Sequence, residues 1–107
     1  MDVHKLQDMT RGWFVGDFSP SVLRSEAFEA AVKYYPAGHR EAAHLHKVAT
    51  ELTVVVAGEV RLGGQLLRAG DIVVMHPGEA QDFEAVTDCT LTIVKVPSVK
   101  GDKYDIA

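Results

Sequence analysis

The chain has 107 residues, with 11 Lys and Arg against 15 Asp and Glu and a formal charge of −4. That length accommodates one domain, residues 1–107, with a small core. Singly scattered cations give no footprint for a nucleic-acid backbone. No apolar run approaches the roughly 20 residues of a membrane span, and the first eleven residues carry acids rather than a signal-type stretch. The expectation is a cytoplasmic protein with neither nucleic acid nor membrane as partner.

Residues 1–27 read as a strand-and-loop extension. Within it, 12–18 (GWFVGDF) has the composition of a strand, its Trp13 and Phe14 serving either as core or as an exposed seam for a second copy. Ser19, Pro20 and Ser21 form a plausible helix entry, so at most a short helical turn is predicted near 22–25. From Phe28 to Val96 the pattern is β-branched runs divided by turn residues, the mark of an all-β sandwich or barrel. Residues 27–35 alternate, so one of Tyr34 and Tyr35 points inward and Lys33 shares the face of Tyr35. Residues 51–57 form a dense strand. Gly63 and Gly64 split 60–67 as a two-residue hairpin turn. Residues 72–75, 81–85 and 89–96 are the remaining strands, and 97–107 is a polar loop or edge segment. Cys89, the single cysteine, lies in an apolar run and reads as a small core residue. Lys95 interrupts the same run and reads as a solvated strand-end lysine.

The residues that carry chemistry are His44, His46 and Glu51. Side chains at i and i+2 of a strand share a face, so the two imidazoles stand side by side, and the next strand brings the carboxylate to them. Two His and one carboxylate with open positions suit non-haem iron, and manganese, nickel, zinc or cobalt also accept such a set.

Gly38, His44, His46, Glu51 and Gly58, in the spacing G-x5-H-x-H-x4-E-x6-G, together resemble the first signature of the cupin superfamily. A second signature follows through Gly70, Pro77, Gly78 and Phe83. The resemblance spans most of the chain and implies a small β-barrel of jelly-roll, RmlC-like type holding one divalent metal ion, in a protein that forms a homodimer and takes a small-molecule ligand or substrate. His76 stands where the family usually has proline, and Gln81 where it usually has a third metal-binding histidine. The implied metal ligands are therefore His44, His46, Glu51 and Gln81. The glutamine acts either as a weak fourth ligand or as a hydrogen-bonding neighbour of the site, and a degenerate, empty site is the remaining alternative. His76 reads as a loop residue, His4 as surface, and His39 as a group at the barrel rim. Two functions follow: a metal-dependent enzyme of oxygenase, isomerase or lyase class acting on a small polar metabolite, or a non-catalytic module that binds a small ligand or metal complex.

Overall fold

The computed structural model describes residues 1–106; Ala107, the last residue of the C-terminal segment, lies outside the described residues. Two 3-10 turns, Leu6–Asp8 and Thr10–Gly12, open the chain. Among the described residues eleven strands follow: β1 (Trp13–Gly16), β2 (Leu23–Arg24), β3 (Glu29–Tyr35), β4 (Arg40–Leu45), β5 (Thr50–Ala57), β6 (Glu59–Leu62), β7 (Gln65–Arg68), β8 (Ile72–Met75), β9 (Ala80–Ala85), β10 (Cys89–Val96) and β11 (Tyr104–Asp105). They form a six-stranded sheet, β2-β1-β3-β10-β5-β8, and a five-stranded sheet, β11-β4-β9-β6-β7. This is the all-β jelly roll expected from the sequence. The helical turn is displaced: 22–25 contains the short strand β2, paired parallel with β1, and the helical turns lie in residues 6–12 instead. Among the described residues, no helix is long and apolar enough to cross a membrane.

Directly paired residues of an antiparallel sheet point the same way, so the register decides what faces the barrel interior. On the larger sheet one inward row reads Lys33, Leu91 and Val55, the next Ala31, Ile93, Thr53 and Val73, and the next Glu29, Lys95, Glu51 and Met75. The core gathers where these rows are apolar, around Val55, Val60, Leu67, Ala85, Cys89, Leu91 and Ile93, with Phe83 and Tyr35 against it. Cys89 is buried there, and burial pushes its thiol up from the ordinary value, in keeping with a core role. Tyr35 is the inward tyrosine of its pair, while Tyr34 remains exposed. Trp13, opposite Ala31, joins the inner wall rather than an outer seam.

The predicted hairpin holds, with Leu62 facing Gln65 across Gly63 and Gly64, which have φ of 58° and 82°. Positive φ at both central residues is what a type I′ turn demands, and glycine alone meets it without steric cost.

Candidate metal centre

In the pairing of β4 with β9, Glu41 faces Phe83 but His44 faces Gln81, three residues along one strand against two along the other. This β-bulge sets the centre's geometry. Glu41 and Phe83 point inward, so strict alternation would turn Ala43 and Leu45 inward and His44 out. The extra residue re-aims His44 into the barrel beside His46, a recurrent use of bulges near functional sites. Glu51 arrives from β5 on the facing sheet. Ligand atoms of His44, His46 and Glu51 lie within 4.8 Å of one another. The two rings meet edge to face with centroids 5.4 Å apart.

His46 is the most tightly held of the three, being 6% exposed. Its Nδ1 is hydrogen-bonded to the backbone carbonyl of Asp102, and its Nε2 lies 2.8 Å from Glu51 Oε2. A carbonyl only accepts, so Nδ1 must carry the hydrogen and donate it. Nε2 and the carboxylate are then two lone pairs in contact unless a second proton or a cation lies between them. A metal-binding histidine typically donates its other ring N–H to a carbonyl or carboxylate, as Nδ1 does here, which leaves Nε2 beside Glu51 as the atom that could meet an ion. The donor set thus fits a divalent ion. Electrostatics separate the pair: the Glu51 hydrogen bond raises His46 above the ordinary histidine value, whereas burial, with Lys103 adding to it, lowers His44. Burial alone would push the Glu51 carboxyl up, but His46 and then Lys95 outweigh it and hold the carboxyl below its usual range.

Asp102 is a functional residue that sequence reasoning passed over within the polar C-terminal segment. Its carboxylate accepts from the backbone N–H groups of Lys47 (2.8 Å), Val48 (3.2 Å) and Ala49 (2.9 Å), pinning the loop that follows His46. Those three donors overcome the burial that would raise its pKa and keep it below the ordinary carboxylate value. One residue therefore fixes both the tautomer of His46 and the loop leading to Glu51. The only sequence signal is an Asp after Gly101, too common in turns to single out.

Gln81 lies opposite His44 and lines the same cavity, but its amide oxygen sits against the β6–β7 turn: a Cβ built at Gly63 would fall 1.9 Å from it. His76 is an exposed loop residue at the cavity rim, and His4 is exposed at the surface. His39 stacks on Tyr35, centroids 4.2 Å apart, with Nε2 3.6 Å from Glu41. The reading of Lys95 as a solvated lysine is corrected. Its pairing with Glu51 and Glu29 turns it inward, where its side chain is 17% exposed and its ammonium lies 3.5 Å from Glu29 and 4.8 Å from the centroid of Trp13. The centre opens into a cavity of about 220 Å³.

No protein-family profile and no curated protein matches the chain. Solved structures do match in fold. An uncharacterized conserved protein with a double-stranded β-helix domain from Klebsiella pneumoniae aligns with 92% of this chain and 87% of its own at 20% identity and a TM-score of 0.70. An RmlC-like cupin from Shewanella frigidimarina aligns over 70% of each chain at 23% identity and a TM-score of 0.63. The DMSP lyase DddQ from Ruegeria pomeroyi aligns with 83% of this chain, but with 46% of its own, at 22% identity and a TM-score of 0.66. The molecule thus has the cupin fold, a single double-stranded β-helix, with a group of two histidines and a glutamate inside it that could hold a metal ion.

Proposed function

We propose that the chain is a divalent-metal-dependent enzyme acting on a small polar metabolite, with His44, His46 and Glu51 holding the ion. The observation that carries this reading is the contact of His46 Nε2 with Glu51 when Nδ1 is committed to the Asp102 carbonyl. When bound, such an ion supplies Lewis acidity to a carbonyl, enediol or water, the chemistry shared by isomerase, lyase and oxygenase sites. The protein's own groups do the rest. Asp102 keeps His46 in one tautomer, and the apolar wall of Val55, Val73 and Leu91 excludes water from one side. Tyr35 is pushed up to about 12 by burial and by Glu41, so its hydroxyl stays protonated as a hydrogen-bond donor. Gln81, on the His44 wall, orients the ligand or bound water, or closes as a fourth ligand by leaving Gly63. A lyase on the same fold in R. pomeroyi supports an enzymatic role, although fold alone does not choose the reaction.

The seat of Gln81 against Gly63, where a third histidine would strengthen the site, favours the second reading, a binding module without turnover. Metal analysis of the purified protein, followed by assay against small hydroxy acids, keto acids and sugars, separates the two. The enzyme reading expects about one divalent ion per chain and a turnover that His46→Ala abolishes. Metal-dependent ligand binding with no turnover selects the module, and a chain that retains no metal overturns both. A cytoplasmic location and a homodimer remain part of the proposal.

A further inference from the structure

Four of the chain's eleven Lys and Arg side chains, Arg11, Lys33, Lys95 and Lys103, line the one cavity that contains His44, His46 and Glu51. Cations outnumber the carboxylates of that lining by four to three, whereas over the chain they are outnumbered by 15 to 11. Three carboxylates, Glu41, Glu51 and Glu79, line the same cavity, but none of them pairs with Lys33 or Arg11. Glu51 is engaged with His46, Glu41 faces His39 at 3.6 Å, and Glu29 pairs with Lys95. Among the described residues, no carboxylate lies within 4.0 Å of the terminal nitrogens of Arg11, Lys33 or Lys103.

Lys33 is the least expected of the four. It is half-buried on the inward face of β3, and its ammonium donates to the Arg11 carbonyl at 2.5 Å. That ammonium lies 4.9 Å from the centroid of the Trp13 ring, which Lys95 also approaches at 4.8 Å. Two ammonium groups held over one indole, with a guanidinium on the adjoining 3-10 turn, repel one another in a partly desolvated space. Burial, followed by Arg11, accordingly lowers Lys33 to about 8. A surface lysine incurs neither cost. A bound anion removes both, through charge-assisted hydrogen bonds to Lys33 and Arg11.

We propose that this mouth is an anion subsite, in which Lys33 and Arg11, backed by Lys95 and Lys103, hold the carboxylate or phosphate of a small molecule whose other end reaches His44, His46 and Glu51. The substrate class narrows accordingly from polar metabolites to small organic anions, which also suits a cavity of about 220 Å³, below the roughly 300–1,000 Å³ usual for larger ligands. The assignment rests on the metal-centre reading for the far end of the ligand, while the anion pole stands on its own residues.

Trp13 is the chain's single tryptophan and reports on the subsite directly. Metal-stripped protein is titrated with succinate, inorganic phosphate and neutral succinamide, following Trp13 fluorescence. A separate arm measures Mn²⁺ binding without any of them, so that failure of the metal centre and failure of the subsite show up in different arms. Succinate or phosphate should give a saturable change, the tighter of the two naming the headgroup, and succinamide none. Lys33→Gln and Arg11→Gln should each weaken the anion about tenfold, and Lys5→Gln should leave it unchanged. Should Lys33→Gln fail to fold, Arg11→Gln, on an exposed residue, decides. No saturable response to either anion, an equal response to succinamide, or wild-type affinity in the Arg11 variant would overturn the proposal.

Discussion

Strands β5 and β10 present two different interiors on one face. At one end Val55 and Leu91 are paired and buried at 0% and 2% exposure; at the other, four residues away along each strand, Glu51 is paired with Lys95. The ladder runs in regular register from one pair to the other, so strand periodicity explains why each side chain points inward but not why two of them are charged. The apolar end holds the barrel together. The charged end holds its carboxylate in the ionised form only through His46 and Lys95, and such paired groups inside a barrel are retained where a site uses them.

If that contrast is right, substitutions at the two ends should fail in different ways. The largest effect belongs to the apolar end: Leu91→Ala leaves a void between the sheets and should cost about 3 kcal/mol in urea unfolding, with little change in metal affinity per folded molecule. A loss below about 1 kcal/mol would mean the core is not concentrated where the rows are apolar. Next comes Asp102→Ala, which bridges the two regions. It removes the acceptor of three loop N–H groups, of which that of Ala49 is buried, and should destabilise by about 2 kcal/mol; the backbone carbonyl on His46 Nδ1 stays, so metal binding should weaken only a few-fold, through the loosened loop between His46 and Glu51. No loss of stability would show that the Asp102 carboxylate does not anchor this loop.

The smallest effect is a pH dependence at the charged end. Lys33 is held at about 8 against an ordinary 10.5, first by burial and then by Arg11, with Lys95 and Lys103 adding to it and Glu41 partly countering. Its folded pKa is lower than its unfolded one, so between those values the unfolded chain binds more protons and stability rises with pH. Below about 8 the charged amine imposes its full cost. Metal-free wild type should therefore gain stability between about pH 8 and 10.5 relative to Lys33→Met, as measured by urea midpoints. Parallel curves for the two proteins would show that Lys33 is freely solvated.

The same contrast explains what could be read in advance. Alternation, turn glycines and the spacing of His44, His46 and Glu51 are local properties, and they anticipated an all-β sandwich or barrel, the Gly63–Gly64 hairpin and the three convergent ligand groups, while the jelly roll was what the cupin resemblance implied. Lys95 was misjudged because a lone lysine near a strand end looks solvated until the pairing with Glu29 and Glu51 is known. Asp102 was missed because its partners lie more than fifty residues away in the chain. Ser19 and Pro20 offered a helix start at 22–25, but pairing of Leu23 with Val15 supplied β2 with backbone partners that a single isolated turn lacks. The direction of the Gln81 side chain depends on Gly63, contributed by a different hairpin.

The most direct test is a crystal of the metal-loaded protein with anomalous diffraction measured at the metal's absorption edge. The expected result is one strong peak within bonding distance of His44, His46 and Glu51, with the Asp102 carbonyl still on His46 Nδ1. A peak elsewhere, or none at full metal loading, would contradict the metal centre.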